Sequence, residues 1–200
     1  MSARRTGDRR FEPLKTERLI LRRWRPSDRT PFAAINADPQ VMEYFPSRLT
    51  PEQSDASIAR IEAHFDRHGF GFWAVEIPHF TPLAGFIGLS VPRFEAHFTP
   101  CVEIGWRLGR QYWGRGYATE GARAALAWGF ERLQLSEIVS FTVPHNWRSR
   151  RVMENIGMTR DPNDDFRHPA LADTHPLSCH VLYRCDRSAF ARSRFSNTDP

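Results

Sequence analysis

Lysine is almost missing from this chain. Lys15 is the only one, and every other one of its 28 Lys and Arg residues is an arginine. No Gly-rich loop is followed by a Lys-Ser or Lys-Thr pair, so a P-loop is excluded. Cysteine is scarce as well. Cys101, Cys179 and Cys185 are odd in number and have no C-x-x-C spacing, which argues against a disulfide framework or a zinc site and fits a reducing compartment. No apolar run approaches the roughly 18 residues that a membrane helix needs. The first ten residues are basic without an apolar segment after them, unlike a secretory signal. A cytoplasmic protein with no membrane partner is expected.

What is present is a foldable chain of 200 residues with 40% hydrophobic residues and six tryptophans, enough for one domain with a substantial core. The formal charge of +5 admits nucleic acid as a partner. No aromatic-interleaved basic strand or recognition-helix pattern accompanies it, so the arginines read as a compositional habit. The expected boundaries are a basic arm at 1–12, one domain at 13–190 and a tail at 191–200. A monomer or a homodimer is expected.

Periodicity gives an element order. Glu17–Trp24 reads as a strand with Leu19 and Leu21 on one face. Pro26-Ser-Asp28 opens a short helix carrying Phe32 and Ile35. Thr50-Pro51-Glu52-Gln53 is a capping box with proline at the first helical position, and Gly69 ends that helix. Phe70–Ile77 and Leu83–Val91 read as a hairpin. Cys101–Leu108 alternates cleanly, with Val102, Ile104, Trp106 and Leu108 against Glu103, Gly105 and Arg107. A helix over Ala118–Leu133, a strand over Glu137–Val143, a helix from Asn146 to Ile156 and a strand over Leu177–Cys185 complete the chain. This is an α/β arrangement: a mixed sheet flanked by about four helices.

Between the Cys101–Leu108 strand and the following helix lies Gln111-Tyr112-Trp113-Gly114-Arg115-Gly116-Tyr117-Ala118-Thr119. Two glycines permit a tight turn, and the helix behind it aims free N–H groups and its positive dipole end at that turn. Such a turn suits phosphate. The third glycine of a dinucleotide fingerprint would fall at Thr119, so that motif is excluded.

The stretch Gln111-x-x-Gly114-x-Gly116-Tyr117-Ala118 resembles the acyl-coenzyme A signature of the GNAT N-acetyltransferase superfamily. Val102–Leu108 is similar to that family's fourth strand, and Asn146-x-x-Ser149-x-x-Val152-x-Glu154-x-x-Gly157-Met158 to its fourth-helix motif. The opening Thr16-Glu17-Arg18-Leu19-Ile20-Leu21-Arg22 resembles the branch of ribosomal-protein N-terminal alanine acetyltransferases. The resemblance implies a single GNAT-like domain whose mostly antiparallel sheet splays between Cys101–Leu108 and Glu137–Val143. The pantetheine arm of acetyl-coenzyme A would then bond like a missing strand near Trp106, Arg107 and Leu108. Its pyrophosphate would rest on Gln111, Gly114, Arg115, Gly116, Tyr117, Ala118 and Thr119, with Asn146 on the pantetheine amides. No metal is implied.

The implied reaction is direct transfer of acetyl from acetyl-coenzyme A to a primary amine, either a protein N-terminus or a small molecule. The amine must be neutral to attack. At pH 7 that costs roughly 4.6 kcal/mol for a lysine side chain and about 1–1.4 for an α-amine. Glu103 is the candidate base, acting through water. Many relatives place a tyrosine acid seven residues after the motif asparagine; here Met153 stands there and cannot donate a proton. Ser149 is the candidate substitute. That departure keeps open a second reading, a non-catalytic acyl-coenzyme A binding or sensing module. His64 and His68, four apart on one helix face, read as a solvated face. The acceptor pocket is expected from the 51–68 helix and the loops at 92–100 and 159–176. For Asp164–Pro169, a polar loop is preferred over a pocket wall.

Overall fold

The computed structural model describes residues 12–195, with side chains through Arg192. The expected arm, apart from Glu12, and the last five residues lie outside the described residues. Strands β1 (Leu14–Lys15) and β2 (Ile20–Arg22) lead into α1 (Arg29–Ala37) and α2 (Pro51–His68). β3 (Phe72–Ile77), β4 (Thr81–Ser90) and β5 (Glu103–Leu108) follow, then α3 (Tyr117–Arg132), β6 (Glu137–Thr142) and α4 (Trp147–Asn155). β7 (Thr159–Arg160), β8 (Phe166–Arg167), β9 (Cys179–Asp186) and α5 (Arg187–Phe195) end the described chain. The strands form one path, β1-β2-β3-β4-β5-β6-β9-β7, with β8 pairing β9. Every pairing is antiparallel except β5 with β6.

Local chemistry explains most elements. Thr50 caps α2 by accepting from the Gln53 N–H while the Gln53 side chain accepts from Thr50 N, and Gly69 closes the helix at φ 78°. The strand expected over Glu17–Trp24 is shorter, Ile20–Arg22, and a turn precedes it. Thr16 forms that turn, donating its N–H to the Leu19 carbonyl at 2.9 Å and accepting from Leu19 N–H at 3.0 Å through its hydroxyl. The turn competes with the ladder there. Arg22 is buried. It reaches Asp28 through both terminal nitrogens and Glu76 through Nε, and it donates to the Pro82 carbonyl, so one side chain joins β2, β3, β4 and the start of α1.

Side-chain alternation assigns the layers. Phe86 packs edge-on against Phe32 of α1, while its neighbours Ile87 and Leu89 lie under Gly121 and Gly129 of α3. The two helices therefore cover opposite faces of the sheet. A Cβ at Gly129 would stand 2.8 Å from Ile138 and 2.9 Å from Leu89, so α3 owes its close approach to glycine. A smaller cluster of Phe98, Val139 and Leu182, with Phe94, Phe141 and Phe166 against it, fills the α1 face beyond β5.

The last helix, α5, is absent from the sequence expectation, although its Phe190 packs on Phe130 at 5.3 Å. Its apolar residues are too few to stand out from its arginines. None of the described helices is long and apolar enough to cross a membrane, and the three cysteines are free.

Candidate active site

The parallel pairing of β5 with β6 is a point contact. Only Glu103 and Val139 face each other in register, and beyond them the strands diverge. Backbone groups alternate sides along a strand. Val102 O accepts from Val139 N–H and Ile104 O from the Ser140 hydroxyl, so the even residues of β5 turn toward β6. Where β6 has moved away, Trp106 is left with its backbone groups facing open space. Leu108 also faces the gap, but its carbonyl is taken by Trp113 Nε1 at 2.8 Å.

A cleft of about 980 Å³ occupies that divergence. At one end lies the Gly-rich turn. Gly114 and Gly116 have φ of 71° and 79°, a region that costs other residues energy. A Cβ built on Gly114 would meet nothing within 4 Å, so the glycine serves the backbone conformation and opens onto the cleft. Gly116 caps α3 without any side-chain acceptor. The first-turn N–H groups of Tyr117, Ala118 and Thr119 thus have no protein partner among the described residues, while Glu120 N–H already bonds Gly116 O. A 16-residue helix with an uncapped N-terminus and three free donors fits the pyrophosphate expected there.

The Thr16–Arg18 turn holds this end in place. Thr16 donates to Glu120 at 2.5 Å, Arg18 bonds Glu120 with both Nε and its backbone N–H, and Arg18 Nη1 donates to the Arg115 carbonyl at 3.0 Å. Glu120, in the first turn of α3, is thereby neutralised before it can oppose an anion. Gln111 and Arg115 are exposed and do not line the cleft, and Arg115 lies over the Phe80 ring at 5.7 Å. Tyr112 is buried under the turn and reaches Thr81 at 3.2 Å.

α4 forms one wall. Asn146 caps it, accepting from Ser149 N–H at 3.2 Å and donating to Thr142 at 2.9 Å, which leaves one amide hydrogen for a ligand. The Ser149 hydroxyl faces the cleft with no partner among the described residues. Met153 is buried, at 1% exposure, and lines the cleft with a side chain that cannot donate a proton.

Glu103 sits where the strands part. No side chain among the described residues bonds its carboxylate, and burial alone pushes its pKa up to about 7. Arg107, on the same face of β5, does not pair with Glu103. Arg107 donates to Asn36 at 2.7 Å and lies over Phe45 at 4.0 Å and Phe86 at 5.4 Å. Its side chain lines the cleft from the α1 face, and its backbone lies opposite Phe86 in the ladder, turned away from the gap between the strands.

The acceptor side differs from expectation. No residue of α2 and none of 92–100 lines the cleft. Its walls are the α1–α2 loop, with Gln40, Tyr44 and Phe45, and a cluster of Phe141, His168 and His180. Phe94 and Phe98 instead pack behind that cluster, 5.6 and 6.1 Å from Phe141. The Asp164–Pro169 stretch divides: Asp164 binds Arg184, Asp165 binds Arg160, and His168 faces the cleft. The α1–α2 loop carried no sequence signal because its role is set by Glu43, which bridges the cleft to Arg148 at 2.8 Å. Arg148 in turn stacks on Trp113 at 4.6 Å.

A splayed sheet, an uncapped helix N-terminus beside the splay and a desolvated carboxylate at its apex define an acyl-transfer site of the GNAT type. The chain belongs to that family: residues 18–159 match the Acetyltransferase (GNAT) domain. YnaD of Bacillus subtilis (strain 168), an N-acetyltransferase by name, is 30% identical over 74% of this chain and 83% of its own length. The acetyltransferase from Agrobacterium tumefaciens str. C58 superposes with a TM-score of 0.71 at 27% identity, covering 92% of this chain and all of that one. The ribosomal-protein-S5-alanine acetyltransferase from Vibrio fischeri shares the fold, with a TM-score of 0.69 at 16% identity over 88% and 96% of the two chains.

Proposed function

We propose that this acetyltransferase moves acetyl from acetyl-coenzyme A directly to a primary amine, without an acyl-enzyme. The observation that carries the reading is Glu103: a carboxylate with no protein partner, desolvated to a pKa of about 7, where β5 leaves β6. A base with that pKa is half ionised near neutrality and can take a proton from the acceptor ammonium. The ammonium loses one proton before attack and a second as the tetrahedral adduct collapses. The C–N bond forms, the C–S bond breaks, the thiolate gains a proton from Ser149, and one proton is released overall. Backbone N–H groups of the open β5 edge stabilise the oxyanion. The three free cysteines suit a reducing compartment.

The test follows thiol release from acetyl-coenzyme A across a panel of peptides and small amines. Glu103→Gln is expected to lower kcat by roughly a hundredfold or more. It should also remove the acidic limb near pH 7 while coenzyme Kd stays unchanged. Tight coenzyme binding without turnover on any amine would favour the sensing module instead.

A further inference from the structure

Two groups of opposite charge stand in this cleft without a protein counterion. Glu103 has no ion-pair or hydrogen-bond partner among the described residues, and Arg107 pairs with no acid there. Arg107 is held by the neutral Asn36 amide and by two aromatic faces, Phe45 and Phe86, all on the α1 face. Its Nε is sealed from solvent with no acceptor, and burial lowers its pKa to about 10. Asn36 is itself locked by donating to Ser54 at 2.9 Å, so the guanidinium is presented on a rigid support joining β5, α1 and α2. Buried charges are normally paired, and leaving one unpaired is costly unless a ligand completes it. A guanidinium in particular matches a carboxylate, which it binds with two parallel donors.

Both residues point to the α1 face of β5 and both line the same cleft. Four residues of strand separate their backbones by about 13 Å. An α-amino acid, whose ammonium and carboxylate share one carbon, is too short to meet both.

We propose that the acceptor is a zwitterion, an amine carrying a carboxylate several bonds from its nitrogen, with the nitrogen at Glu103 and the carboxylate on Arg107. This rests on the N-acetyltransferase reading above and narrows its acceptor class. The apolar walls, Phe72 and Phe86 on one side and Phe141 on the other, accommodate the connecting chain. Arg107 is a specificity-determining residue here and takes no part in proton transfer.

The experiment uses the full chain, acetyl-coenzyme A and a series of straight-chain ω-amino acids of increasing length, each beside its carboxamide and the plain alkylamine. Acceptor binding to the coenzyme-loaded protein is measured alongside thiol release. The longer amino acids are expected to exceed their carboxamides in kcat/KM by roughly thirtyfold or more. Arg107→Gln should erase that gap through KM and not through kcat, with coenzyme Kd unchanged. Arg107→Lys, which keeps the charge but loses the two-pronged geometry, should retain part of it. A urea midpoint for each variant separates loss of recognition from loss of the Asn36 contact. Equal turnover of acids and amides, or a gap that survives Arg107→Gln, overturns the zwitterion and leaves the transfer reaction standing. Absence of acetylation across the whole panel counts against both.

Discussion

At the residue scale, the site holds several side chains that do two jobs, and Ser149 is the clearest. Its N–H closes the Asn146 cap while its hydroxyl is left facing the cleft. Serine near a helix start usually spends its hydroxyl on the backbone. Here the cap is supplied by Asn146, so the hydroxyl is free for the leaving thiolate. Ser149→Ala is therefore expected to lower kcat about tenfold or more without shifting coenzyme affinity, since the cap donor is a backbone group that alanine keeps. Stopped-flow thiol release and coenzyme titration of the same variant check both halves. Full activity would remove Ser149 as the acid. Met153, packed into the core one turn further along α4, has no proton to give.

At the element scale, α3 and the turn before it form one unit. Gly114 and Gly116 both have positive φ, and Gly116 exposes the helix N-terminus in place of a capping side chain. A β-branched residue at Gly114 is strained at φ 71° whatever space surrounds it, and its branches would project toward the ligand side of the turn. Gly114→Val is expected to raise coenzyme Kd by roughly tenfold or more, with a smaller fall in Tm, because the strain is local to one turn. Isothermal titration with coenzyme A reads this directly, and an unchanged Kd would detach the turn from the donor. These elements were legible in the sequence because turn, cap and alternation are local. The Thr50 capping box and the Gly69 terminus were legible for the same reason. The turn at Thr16 was not: it is fastened by Glu120, a partner far along the chain.

At the scale of the whole molecule, a histidine read as solvated turns out to tie the layers together. His64 of α2 donates from Nδ1 to the Phe70 carbonyl at 2.7 Å and accepts at Nε2 from Val91 N–H at 3.0 Å. It thus clasps α2 to the start of β3 and the end of β4. Only the neutral ring can accept at Nε2, and burial, with His68, Arg93 and Arg67 nearby, holds its pKa below the usual value. A depressed histidine stabilises the fold fully above its unfolded pKa of about 6.5, and that contribution is lost as pH falls from there toward the folded value. The His64 contribution is accordingly expected to be lost between pH 7.5 and 5, while Glu103, with its raised pKa, adds stability over the same window, so the linkage is read as the difference between wild type and variant. His64→Gln should lower the urea midpoint at pH 7.5, and its deficit against wild type should shrink on acidification. His168 and His180 are also held down by burial, so part of the slope should remain in the variant. An unaltered slope would mean that His64 carries no proton linkage.

The sequence by itself determined the Gly-rich turn, the helix behind it and the strand before it. A glycine pair, a helix start and an alternating strand act through backbone torsions and side-chain period, which neighbours a few residues apart decide. It also located Glu103 on the opposite face from Ile104, a parity that folding could not change. Only the tertiary structure decided the acceptor end. Tyr44, Phe45, Arg107, His168 and His180 come from separate stretches and meet only where the sheet splays and the α1–α2 loop crosses it. The burial that raises the Glu103 pKa and leaves Arg107 without a counterion arises from that convergence. Desolvation depends on everything packed around a group, and no spacing along the chain encodes it.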